Sequence, residues 1–147
     1  MIYEGNSFIM ELKQESSTKS TFSRELSLFE LESSYKELIK YCYNDDTTTN
    51  KLKLIKAFDC SYELVLKVLK QELVKYGIYA YSQVDIFRES IAMGIIINSG
   101  RWLLYLERRD LINSTYDSVV VKQVLKVIPM FRYDLSELIE FLKSKIK

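Results

Sequence analysis

The densest run of chemically capable side chains is Leu106-Glu-Arg-Arg-Asp-Leu-Ile-Asn-Ser-Thr-Tyr-Asp117. Arg108 and Arg109 close an apolar helical turn, and Asp110, Asn113, Ser114, Thr115, Tyr116 and Asp117 follow. Arginine near a helix C-terminus is favoured by the macrodipole. Its planar fork also suits phosphate, and the hydroxyl-rich turn adds donors for such a grip. Capping and phosphate binding both fit. Asp59 and Glu63 lie four apart, on one helix face. Their oxygens suit Mg²⁺, or they are simply polar surface. Tyr62 and Trp102 supply flat apolar rings, for stacking a base or for filling a core. The pair Asp45–Asp46 lies in a polar loop and reads as solvated.

The chain has 147 residues and no histidine. That excludes an imidazole general base and every His-containing metal site. Acid–base work would fall on carboxylates, Lys, Tyr or Cys. The two cysteines, Cys42 and Cys60, form no CxxC pair, and both lie in apolar helical patterns as reduced packing residues. No P-loop, GxGxxG, HExxH or GxSxG motif is present, and no metal site is expected. Lys+Arg number 21 and Asp+Glu 20, for a net charge of +1. Such a balance gives no bulk attraction to nucleic acid or anionic membrane. No apolar run approaches the roughly 18 residues that span a bilayer, and no secretory signal opens the chain. A soluble cytoplasmic protein is the expectation.

These residues need helices to position them. With 48% hydrophobic and 28% charged residues the composition is globular, and 4 Gly and 1 Pro are few for a β protein. Residues 1–20 read as a mixed N-terminal extension, where Phe8, Ile9 and Leu12 suit a short strand or turn. Residues 21–147 read as one helical domain. Ser20 or Thr21 is the expected cap of a helix over about 22–43, with Leu28, Leu31, Tyr35, Leu38 and Cys42 along one stripe. NDDTTTN (44–50) is a loop or capping segment. Leu52, Ile55, Phe58, Tyr62, Val65, Leu66, Leu69, Leu73 and Tyr76 mark a second helix, ended by Gly77. A shorter helix over about 82–93 shows Val84, Phe87, Ile91 and Ala92 or Met93, and Gly94 ends it. Ile95–Ile97 reads as a buried connector. A fourth helix, about 99–112, carries Trp102, Leu103, Leu106 and Arg109. Asp117 or Ser118 caps the fifth, with Val120, Val124, Val127, Phe131, Leu135, Leu138, Leu142 and Ile146 in line. Pro129 removes a backbone donor there and predicts a kink near Leu125–Pro129. Short connections between amphipathic helices favour an all-α, antiparallel up-and-down bundle of about five helices.

Three segments then carry a resemblance: Ala57-Phe-Asp-Cys-Ser-Tyr-Glu-Leu-Val-Leu-Lys-Val-Leu-Lys70, Ile86-Phe-Arg-Glu-Ser-Ile-Ala-Met-Gly94 with Arg101-Trp102, and Leu106 to Asp117. In this order and spacing, over about residues 22–145, the chain resembles the nucleotidyltransferase substrate-binding protein family, a branch of the HEPN helical domains. The resemblance implies a five-helix bundle that dimerises. It also implies a separately encoded minimal nucleotidyltransferase as partner. Some such pairs act as toxin and antitoxin. There the helical protein is a metal-independent ribonuclease, silenced when the transferase attaches nucleotides to the motif tyrosine. In this chain Arg109 takes the motif arginine, Asp110 the asparagine and Tyr116 the tyrosine. Ser114 stands where the histidine belongs.

That departure has a chemical consequence. General acid–base help is worth roughly 10²–10⁴-fold and needs a pKa near the working pH. A serine hydroxyl stays protonated at neutral pH and is no free base. Asp110 puts a negative charge beside Arg109, where it can pair with the guanidinium and repel a phosphate. The expectation is therefore a non-catalytic substrate-binding or regulatory subunit of a nucleotidyltransferase. Asp59, Tyr62, Trp102, Arg109, Asp110 and Tyr116 are the candidate binding residues, and Tyr116 is the candidate nucleotidylation acceptor. Mg²⁺ and a nucleoside triphosphate would come through the partner, and a nucleotide or RNA is a possible ligand. The alternative is a HEPN-type ribonuclease toxin carrying a degenerate Arg109, Ser114, Tyr116 motif.

Overall fold

A computed structural model describes the backbone of residues 2–44 and 46–146, and the side chains of 22–44, 46–98 and 100–145. Five helices follow in order: α1 Ile2–Cys42, α2 Thr48–Lys75, α3 Gln83–Ala92, α4 Ser99–Ser114 and α5 Ser118–Ile146. Among the described residues there is no strand. Arg24 meets Glu72 and Asn50 meets the Tyr41 carbonyl, so α1 and α2 run antiparallel. Tyr43 meets Arg132 and Glu32 meets Lys143, which sets α5 antiparallel to α1. The expected all-α bundle of five helices is thus what forms.

The helix ends follow local chemistry. Thr47 accepts the Asn50 N–H, Ser82 that of Asp85, and Asp117 that of Val120. Each satisfies one donor that a helix start leaves open. Gly77 and Gly94 adopt φ of +77° and +73°. At each, the glycine and the following residue donate back to the preceding turn (Ile78 to the Leu73 carbonyl, Ile95 to that of Ser90). This left-handed closure is the one glycine allows most easily.

Several expectations need correction. The backbone is helical from Ile2, so neither a strand or turn near Phe8 nor a cap at Ser20 or Thr21 forms. The segment 6–42 contains neither Gly nor Pro, so nothing in it breaks a helix once neighbouring turns are formed. On α3 the buried residues are Ile86, Phe87 and Ser90. Val84 and Met93 face outward, because α2 and α4 flank the helix on a side turned from the expected one. Leu52, Tyr76 and Leu103 are likewise exposed, as is Cys60, while Cys42 is half-buried. In the connector, Ile95 and Ile96 are buried and Ile97 is exposed. Pro129 lies inside α5, and the helix continues past it without a chain break, as expected.

The core centres on aromatic rings. Phe131 of α5 makes edge contacts with Phe58, Trp102 and Tyr105, at centroid distances of 4.7, 6.1 and 5.1 Å. Trp102 also stacks on Phe87 at 5.7 Å. Edge-to-face and offset arrangements match the ring quadrupoles and add to burial. This cluster joins α2, α3, α4 and α5 around one point and fixes where α4 carries its arginines.

Candidate functional site

α4 is held at both ends by arginine. At its start Arg101 grips Asp134 of α5 in a fork, Nε to Oδ2 at 2.9 Å and Nη2 to Oδ1 at 2.6 Å. The Tyr105 hydroxyl donates to the same Oδ2 at 2.5 Å. Asp134 is 5% exposed and Tyr105 fully buried. Burial pushes the Tyr105 phenol well above its ordinary range, and the bond to Asp134 pushes it further. A cavity of about 320 Å³ opens beside this end, lined by Ile95–Asn98, Arg101 and Tyr133 among others.

Eight residues on, about 12 Å along the axis, Arg109 turns to α2. Its Nε donates to Asp59 Oδ1 at 2.9 Å and its Nη2 to Glu63 Oε1. Its guanidinium carbon lies 5.3 Å from the centre of the Tyr62 ring, within cation–π range. Asp59, Tyr62 and Glu63 therefore form one receptor on α2 for one side chain of α4. Tyr62 is fully buried, and its hydroxyl donates to Gln83 Oε1 of α3 at 2.6 Å. Burial raises its pKa, the Arg109 charge pulls it down and Asp110 raises it. The net shift is upward, so Tyr62 is a poor phenolate source.

The motif turn follows. Ser114 Oγ donates to the Asp110 carbonyl at 3.2 Å, a bond that occupies its proton within the last turn. Thr115 Oγ1 accepts the Asp117 N–H at 3.3 Å, and Asp117 caps α5. Between them Tyr116 projects at 58% exposure.

The structure thus brings Asp59, Tyr62 and Arg109 together, and adds Glu63 and Gln83. Asp110 is exposed and is not the partner of Arg109, contrary to the expected pairing. At i+1 on a helix its side chain points away from its neighbour's, whereas α2 presents two carboxylates across the interface. Trp102 is 2% exposed, packed among Phe87, Tyr105 and Phe131, and it also lines the cavity beside Arg101. Asp59 and Glu63 both bond Arg109, and no group of three or more metal-binding side chains occurs among the described residues. No helix there is long and apolar enough to cross a membrane. Arg101, Tyr105 and Asp134 had no expected role. The legible signal was Asp134, a carboxylate inside the apolar stripe of α5.

Comparison with known proteins adds three findings. The chain is 32% identical over 96 residues to the probable ribonuclease HepT of Haemophilus influenzae, an alignment covering 62% of this chain and 66% of that protein. The chain therefore spans just under two-thirds of this relative's length. A crystal structure of a protein from Thermus thermophilus shares the fold, with a TM-score of 0.64 and 20% identity over 80% of this chain and 98% of that one. The sequence pattern described as "Nucleotidyltransferase substrate binding protein like" matches residues 22–144, from the middle of α1 nearly to the end of α5. With that match covering most of its length, the chain belongs to the nucleotidyltransferase substrate-binding protein-like family.

Proposed function

We propose that this protein is the non-catalytic substrate-binding and regulatory subunit of a two-component cytoplasmic system of toxin–antitoxin type, whose other member is a separately encoded minimal nucleotidyltransferase. The carrying observation is the state of Arg109. Its guanidinium is bonded to Asp59 and Glu63, and the hydroxyl at the position of the motif histidine is bonded to a backbone carbonyl. An arginine so neutralised positions and recognises. It cannot activate a 2′-hydroxyl, and the chain has no imidazole to do so.

Tyr116 fits the regulatory half of this reading. Its phenol is exposed on a turn fixed by Thr115 and Asp117. In nucleotidylation the Tyr116 oxygen attacks the α-phosphorus of a nucleoside triphosphate. The new P–O bond forms as the α–β bridging bond breaks, pyrophosphate leaves, and the phenolic proton passes to a carboxylate of the partner. Mg²⁺ bound by the partner would stabilise the charge on the leaving group. Intact-mass and peptide mass spectrometry after co-expression with the neighbouring transferase should show added nucleotide on Tyr116 and none on Tyr116→Phe. Modification at another residue rejects the assignment.

A ribonuclease is the second reading, favoured by the name of the Haemophilus influenzae relative. Incubation of the pure protein with RNA separates the two. Intact RNA supports the binding subunit; cleavage that disappears in Arg109→Ala establishes the ribonuclease.

A further inference from the structure

The cavity of about 320 Å³ at the start of α4 shares no residue with the Arg109 site. Its size falls at the lower end of the roughly 300–1,000 Å³ usual for small-molecule sites, which suits one small organic ligand. Its walls are largely apolar. Ile95 and Ile96 are buried there, and the rings of Trp102, Tyr133 and Phe141 line it. Flat ring surfaces favour a planar ligand.

Three groups in the lining can direct such a ligand. Arg101 spends Nε and Nη2 on Asp134 and keeps the donors of Nη1, its side chain 34% exposed. Asn98 adds an amide. It holds a left-handed φ of +60°, and among the described residues no other non-glycine residue has a positive φ. It stands at the N-cap of α4, yet its side chain makes no cap bond, so the helix start does not use that amide. The third group is Glu137, an exposed carboxylate to which the Tyr133 hydroxyl donates. The charged residues of the lining are Arg101, Asp134 and Glu137. The first two neutralise each other, so the cavity carries a net negative charge. It presents guanidinium and amide donors together with a carboxylate acceptor.

We infer that this cavity binds the guanine base of a small nucleoside or nucleotide. The match is one of polarity. The pairing edge of guanine sets one acceptor, O6, beside two donors, N1–H and N2–H. A carboxylate accepts two parallel N–H bonds well. Glu137 therefore takes N1–H and N2–H, while Arg101 Nη1 or the Asn98 amide donates to O6. Adenine reverses the pattern, because its N1 is an acceptor and would face the carboxylate unpaired. Glu137 repels a free phosphate, and a simple organic cation leaves the guanidinium and amide donors without an acceptor. As the substrate of the binding subunit proposed above, this ligand rests on that reading; its binding to the pure chain does not.

Isothermal titration calorimetry of the full chain tests the inference, alongside the fluorescence of Trp102, the single tryptophan of the chain. Guanosine should bind at least ~10-fold tighter than adenosine, or than inosine, which lacks the N2 amine. The tryptophan signal should change over the same concentration range. Guanosine monophosphate should bind within about threefold of guanosine, because Asp134 already holds the one guanidinium of the lining. Glu137 is exposed, so Glu137→Gln should leave the circular dichroism unchanged. It should weaken guanosine about tenfold and abolish the preference over adenosine. Tyr133→Phe keeps the ring but releases Glu137, and should weaken guanosine about threefold. No guanosine binding at ~1 mM, equal binding of adenosine, or a Glu137→Gln protein that binds as wild type overturns the inference. Binding of the monophosphate without the nucleoside also overturns it, since phosphate would then be the recognised group. A chain that is nucleotidylated on Tyr116 but does not bind guanosine overturns this site and leaves the proposed subunit standing. A chain that binds guanosine and cleaves RNA through Arg109 supports the site and overturns the non-catalytic reading.

Discussion

Asp134→Asn keeps the shape of the side chain and removes its charge. In the native protein this carboxylate receives three hydrogen bonds, two from Arg101 and one from Tyr105. The amide retains one oxygen for three donors and turns an NH₂ towards the others. Hydrogen bonds to a charged group contribute about 1.5–3 kcal/mol each, and neutral ones about half that. The Arg101 side chain is 34% exposed, so water replaces part of what it loses. The Tyr105 hydroxyl is wholly buried and has no such relief. Together these give a loss of about 3 kcal/mol. At about 2–4 °C per kcal/mol for a chain of this size, Tm should fall by about 6–12 °C. Tyr105→Phe removes one bond and leaves the Arg101 fork intact, so it should cost about 1 kcal/mol. Urea unfolding followed by circular dichroism measures both, and the double variant should be less destabilised than the sum, because the two share one acceptor. An Asp134→Asn protein within about 0.5 kcal/mol of wild type would refute the argument that this carboxylate fixes the start of α4.

Three further outcomes are expected. Tyr62 and Tyr105 hold their protons above the ordinary phenol range, so above about pH 10 the folded state binds more protons than the unfolded one. Their contribution to stability is complete below about pH 10 and declines as pH rises beyond it. In a titration of tyrosinate absorbance across the 11 tyrosines, these two should ionise only as helical signal is lost, and full tyrosinate absorbance in an intact helix contradicts this. Phe131→Ala, which removes a fully buried ring from contact with three others, should cost about 3–5 kcal/mol in the same urea assay. Gly94→Ala meets nothing within 4 Å but forces a Cβ into φ of +73°, and should cost about 1 kcal/mol; a neutral result would mean the turn relaxes to another conformation.

The fold and the site differ in how far the sequence revealed them, and the difference is one of range. Helix periodicity is local: Leu28, Leu31 and Leu38, or Val120, Val124 and Phe131, announce a buried stripe within a few turns. Caps are more local still, and Thr47, Asp117, Gly77 and Gly94 act in the segments where turn chemistry points to them. What periodicity does not give is the direction from which neighbours arrive. That is why Val84 of α3 faces outward while Ile86 faces inward. The start of α1 misleads for a related reason. ESSTKST is rich in residues that compete for backbone hydrogen bonds and imitate a cap, yet a helix held elsewhere along its length tolerates them.

The site depends on pairs that no local pattern records. Arg109 and Asp59 are 50 residues apart, Arg101 and Asp134 are 33 apart, and Tyr62 and Gln83 are 21 apart. From the sequence, Arg109 could face phosphate, Asp110 or solvent, and Asp59 with Glu63 could face a cation. Both questions have one geometric answer, since the cation these carboxylates receive is the guanidinium itself. The consequence for binding follows directly. A phosphate approaching Arg109 must displace two carboxylates that stay nearby and repel it, so on the proposed reading affinity would rest on groups brought by the partner. Under the proposed function, an arginine so paired would favour a partner-borne anion over a free one, which suits a binding subunit better than a self-sufficient nuclease.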